Sequence, residues 1–97
     1  MWALSLAGSP AWSELSPAGS PPAGRRGHTA IYDPGRDRMV VFGGYNGTGL
    51  RNDVWALSLS GSPAWSEFAP AGSLPSARFT HTAIYDPVRD RMVVFGG

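Results

Sequence analysis

The chain has no cysteine, so disulfides, thiolate metal sites and cysteine nucleophiles are excluded. That absence is compatible with any compartment. Charge is scarce: 15% of the 97 residues are charged, and the formal net charge is +1. Without a basic or acidic run, nothing draws the chain to nucleic acid or to an anionic membrane surface. No apolar stretch approaches the ~18 residues of a membrane-spanning helix. The opening Met1-Trp2-Ala3-Leu4-Ser5-Leu6 lacks a basic segment and runs into Gly8-Ser9-Pro10, so it does not read as a signal peptide. Helical periodicity is missing too. In its place, 42% hydrophobic residues argue for a packed chain, punctuated by 13 glycines and 9 prolines.

What dominates the sequence is an internal repeat, the first feature to look for because it decides the fold. Trp2 recurs as Trp55, Trp12 as Trp65, His28 as His81, and Gly43-Gly44 as Gly96-Gly97, always at an offset of 53. Residues 1–44 and 54–97 are identical at 34 of 44 positions. The stretch Tyr45 to Asp53 occurs once, between the copies. Copies this alike point to recent duplication or to engineering. Met1 standing where the second copy has Val54, and the stop at a Gly-Gly pair, suggest a cut from a longer array.

Each repeat reads as four strands. His28 to Tyr32 is rich in β-formers and ends at the turn signal Asp33-Pro34. Arg38 to Phe42 follows and stops at Gly43-Gly44; Val54 to Leu59 is the third strand and Ala64 to Phe68 the fourth. Met39 to Phe42 is apolar on both faces, which implies a sheet covered on both sides. Short four-stranded sheets covered on both faces suit the stacked blades of a propeller.

Three segments, Phe42-Gly43-Gly44, Asn52-Asp53-Val54-Trp55 and Trp65, resemble the kelch repeat, as does a spacing near about 50 residues. The resemblance extends over essentially the whole chain. It implies an all-β fold of kelch-type β-propeller blades, each a four-stranded antiparallel sheet, in a ring of about six or seven. It also places the first strand of each motif nearest the axis. In that frame residues 1–24 are an N-terminal half-blade (strands three and four), 25–70 a complete blade, and 71–97 a C-terminal half-blade (strands one and two). The half-blades leave open edges at Trp2 to Leu6 and at Met92 to Phe95, and open edges seek partners. The ring is therefore expected to be completed by oligomerisation. The partner is the chain itself: a homotrimer with six blades, with a tetramer of eight as the alternative.

The candidate functional residues carry two readings each. Trp2, Trp12, Trp55 and Trp65 read as wedges between blades, with sugar stacking as the other use. Gly43, Gly44, Gly96 and Gly97 read as structural, since no helix follows to make a phosphate cradle. Asp33, Asp37, Asp86 and Asp90 read as turn residues. His28 and His81 open the strand that the resemblance places innermost, where imidazoles could bind an anion or metal, or simply bond a neighbouring loop. Arg25 and Arg78, three residues earlier, lie where the resemblance implies an acidic-peptide pocket at one mouth of the ring. Their guanidinium forks suit a carboxylate. The structural alternative is a salt bridge to Glu14 or Glu67.

Function divides accordingly. One reading is a self-assembling, non-catalytic scaffold unit closing into a symmetric ring. The alternative is a binding module for a protein segment, an acidic peptide or a glycan at the mouth of that ring. An enzyme is not expected. The kelch precedent, galactose oxidase, needs a cysteine-crosslinked tyrosine, and no other catalytic constellation is spaced along the chain. No cofactor or metal is implied.

Overall fold

A computed structural model describes residues 1–97 as eight strands without a helix. They are β1 (Trp2–Ser5), β2 (Ala11–Glu14), β3 (Thr29–Asp33), β4 (Arg38–Tyr45), β5 (Leu50–Ser58), β6 (Ala64–Phe68), β7 (Thr82–Asp86) and β8 (Arg91–Phe95). Three antiparallel sheets result, ordered β1-β2, β3-β4-β5-β6 and β7-β8. The all-β class and the four-stranded antiparallel blade are as the sequence leads one to expect.

Two boundaries differ. β4 does not stop at the glycine pair, and residues 45–53 are not a plain linker. β4 continues to Tyr45 and pairs with β5 across a bulge between Phe42 and Gly44. Gly43 (φ 70°) and Gly44 (φ 104°) take up the bulge in the left-handed region, where a side chain is strained. Asn46 closes the hairpin: its Oδ1 accepts from the Thr48 and Gly49 amides, both at 3.1 Å.

The core is the middle of the four-stranded sheet. Val40, Val41, Phe42, Ala56 and Leu57 are its buried apolar residues. The loops β3–β4 and β7–β8 repeat one charged design. Asp33 is buried and accepts from Arg36 and Arg38; Asp86 accepts from Arg89 and Arg91. Burial works against the Asp33 carboxylate, yet the two arginines outweigh it and hold its pKa below the usual range. These aspartates do more than shape a turn.

Neighbouring repeats join side by side, with β3 against β7. The joint is made of backbone bonds (Gly44 N to Arg78 O, 2.9 Å; Thr80 N to Gly27 O, 2.8 Å) and of the Arg36–Asp90 pair at 2.8 Å. A Cβ on Gly43 would meet Arg78 O at 2.9 Å, so the repeats approach too closely there for any side chain. The sheet β1-β2 is tied to the middle one through Ala18, which exchanges backbone bonds with Pro63 and Trp65.

Candidate functional site

β4 and β8 share the sequence Arg-Met-Val-Val-Phe. The phenylalanine that ends this shared run is 4% exposed as Phe42 and 80% exposed as Phe95. The residues are the same, so the surroundings make the difference. β4 lies between β3 and β5, while β8 has β7 on one side and an open edge on the other. That edge walls a groove of about 460 Å³. Val54 and Phe68 of the middle sheet, Met92 and Val94 of β8, and Leu74 and Pro75 are among the residues that line it.

At the other end of the chain, Trp2, Leu4 and Trp12 share one face of β1-β2, since Leu4 is paired with Trp12 and Trp2 lies two residues away. Trp2 is 62% and Trp12 67% exposed. In the single chain no sheet covers that face, as expected of an unpaired half-blade. Their counterparts Trp55 and Trp65 are half-buried.

The arginines differ in the same way. Arg25 donates from Nε to Ala23 O (3.1 Å) and from Nη1 to Gly43 O (3.0 Å). Its fork also grips Asp53, which accepts from Nη1 and, at 3.0 Å, from Nη2. Asp53 Oδ2 accepts from the Trp55 indole as well, at 2.8 Å. Burial disfavours the charged carboxylate, but Arg25 and Trp55 prevail and its pKa is lowered. Neither Glu14 nor Glu67 is the partner; Asp53 of the same sheet is. The signal for it was its place two residues before Trp55, in a stretch that occurs once although the arginine occurs twice. Arg78 repeats the carbonyl contacts, Nε to Ser76 O at 3.1 Å and Nη1 to Gly96 O at 3.0 Å. No carboxylate lies within salt-bridge distance of it.

The histidines do not come together. His81 is buried edge-on against Phe42, with ring centroids 5.3 Å apart. Its Nε2 lies 3.1 Å from Phe42 O and 2.8 Å from Thr29 Oγ1. A carbonyl only accepts, so Nε2 carries the proton and Nδ1 is buried without a partner. Burial lowers the pKa of this ring, and Arg78 and His28 lower it further against the Phe42 carbonyl. His28 is exposed, and no group of three or more His, Asp or Glu converges on a metal position. Gly43, Gly44 and Gly97 face backbone within 3.0 Å of where a Cβ would stand, whereas Gly96 faces nothing within 4 Å.

Comparison with known proteins gives a consistent family. The KLHDC2/KLHL20/DRC7 Kelch-repeats domain matches residues 1–97. The leucine-zipper-like transcriptional regulator 1 homolog of Drosophila melanogaster is 36% identical over 90 residues, 89% of this chain and 8% of that protein. The host cell factor homolog hcf-1 of Caenorhabditis elegans is 37% identical over 92 residues, 89% of this chain and 11% of that protein. The Rho GTPase-activating protein gacHH of Dictyostelium discoideum is 38% identical over 78 residues, 80% of this chain and 5% of that protein. The chain thus spans a small part of the length of these curated relatives. No solved structure matches it.

Proposed function

Because this chain belongs to the kelch-repeat family, we propose that it is a non-catalytic interaction scaffold that works by completing blades. Its half-blades β1-β2 and β7-β8 are the working surfaces. One observation carries the reading: an identical strand is sealed as β4 and bare as β8. An open edge beside an apolar groove is an association surface. The exposed Trp2, Leu4 and Trp12 face is of matching chemistry.

The register follows from the sealed copy. β4 pairs with β5 as Phe42↔Val54, Val41↔Trp55, Val40↔Ala56 and Met39↔Leu57. Transposed by one repeat, Phe95 faces Met1, Val94 faces Trp2, Val93 faces Ala3 and Met92 faces Leu4 of a second copy. Residues 1–97 alone then associate head to tail, and three chains make a closed ring of six blades. Further repeats in a longer polypeptide would complete the same edges within one chain.

Light scattering on residues 1–97 tests this. The expected mass is about three times the 10.3 kDa of the chain, with no folded monomer on dilution. A stable folded monomer would overturn edge completion; a tetramer would overturn only the count of blades.

A further inference from the structure

The duplicated arginine site supplies its own control. Arg25 and Arg78 occupy equivalent positions and rest on equivalent carbonyls, Ala23 and Gly43 for one, Ser76 and Gly96 for the other. The guanidinium is therefore held in place by two backbone carbonyls, one in the segment ahead of the first strand and one at the glycine pair, before any acid is involved. In the first copy the third strand then delivers Asp53 into the fork. In the second copy Nη2 turns instead to Ser76 Oγ at 3.1 Å, and the charge has no counter-ion in the chain.

We propose that β7-β8 together with Arg78 is a receptor for a β-hairpin headed by an aspartate two residues before a tryptophan. This rests on the blade-completion reading and adds its specificity: a second copy fills the edge through Met1-Trp2 without the acid, and a strand that carries the acid is preferred to it. The carboxylate would take both arms of the Arg78 fork while accepting from the hairpin's own indole, as Asp53 does from Arg25 and Trp55. The strand would then run along β8 in the register of β5 on β4, laying its tryptophan face into the groove. A bidentate, charge-assisted pair discriminates by geometry as well as charge. A strand without the leading acid would leave the guanidinium unmatched beside the new sheet edge, which is costly once water is displaced. Edge pairing alone is sequence-tolerant, because backbone groups make it. The arginine is what makes this edge selective.

The test uses a labelled synthetic peptide of residues 50–68, which carries Asp53 and Trp55, added in excess to the assembled full chain, where it competes for β8 with the strand of a neighbouring copy that carries no aspartate ahead of Trp2. Fluorescence anisotropy is expected to show saturable binding. Asp53→Asn in the peptide is expected to weaken it about tenfold or more. Arg78→Gln in the chain should abolish the difference between the two peptides. Arg78→Lys, which keeps the charge and loses the fork, should recover only part of it. Equal binding of both peptides to the unaltered chain would overturn the aspartate receptor and leave blade completion standing. No peptide binding by a chain that still associates with itself would also overturn the receptor. Failure of both peptide binding and self-association would overturn blade completion as well.

Discussion

Gly43 shows how tightly one position can be set by the neighbouring repeat. Its φ of 70° and the Arg78 carbonyl 2.9 Å from any Cβ leave no room for another residue. Gly43→Val is expected to destabilise the fold by about 1–3 kcal/mol, read as a lower melting temperature. Gly96 faces nothing within 4 Å in a single chain, but in the proposed ring it meets the next chain as Gly43 meets Arg78, so Gly96→Val should cost a similar amount there and also weaken association. Unchanged melting of Gly43→Val would show that the joint tolerates the bulk. The glycine pairs were legible because no helix follows them. The partner of Arg25 was not legible: an arginine and an aspartate 28 residues apart meet only once β4 and β5 are paired and bulged. The fate of the histidines was equally hidden. His28 and His81 have the same local sequence on their C-terminal side, and only the presence of a preceding Phe42 buries one of them.

At the level of strands, the hydrophobic runs and turn residues located six of the eight elements closely. The misread ones were β4 and β5, whose ends run on through Gly43-Gly44 and back from Leu50. Glycine pairs usually interrupt a strand, and here they bulge it without ending it. The open strands permit a direct check of register. The chain lacks cysteine, so Ala3→Cys and Val93→Cys introduce the only thiols. These positions correspond to the Ala56 and Val40 pair, and paired Cα atoms in an antiparallel sheet lie about 4.5–5.5 Å apart, within disulfide range. Oxidation of the double variant is expected to give covalent closed oligomers on a non-reducing gel. The variants Ala3→Cys with Val94→Cys, one step out of register, should link poorly. Equal linking of both pairs would rule out the register.

Several carboxylates of the molecule have pKa values lowered in the fold. Arg36 first, then the Tyr85 hydroxyl, hold Asp90 down to about 2, and Asp33 and Asp53 are lowered as well. A depressed carboxylate stabilises above its unfolded pKa of about 3.9, and that stability is lost as pH falls through the folded value. Denaturant melts should therefore lose stability from about pH 4 down toward pH 2, with a shallower loss in Asp90→Asn. His81 acts in a separate window. Its lowered pKa means that the neutral ring is the folded form, so its contribution is full above about 6.5 and declines as pH falls below that. A midpoint independent of pH between 7 and 2 would contradict both assignments.

The identity of β4 and β8 also bears on how the chain reaches this arrangement. While folding, β5 meets two edges that are the same over Arg-Met-Val-Val-Phe. β4 is reached through the short turn at Asn46–Gly49, β8 only by closing a loop about eight times longer. Loop-closure entropy favours the near edge by roughly 2 kcal/mol, at about 0.6 per doubling of length. A preference of that size is one that a crowded solution can offset, since another chain's β4 or β8 supplies the same hydrogen bonds and the same side chains. Strand-exchanged species would then be built from native pairs throughout. The concentration at which chains fold, more than any contact in the finished structure, selects between the exchanged and unexchanged forms.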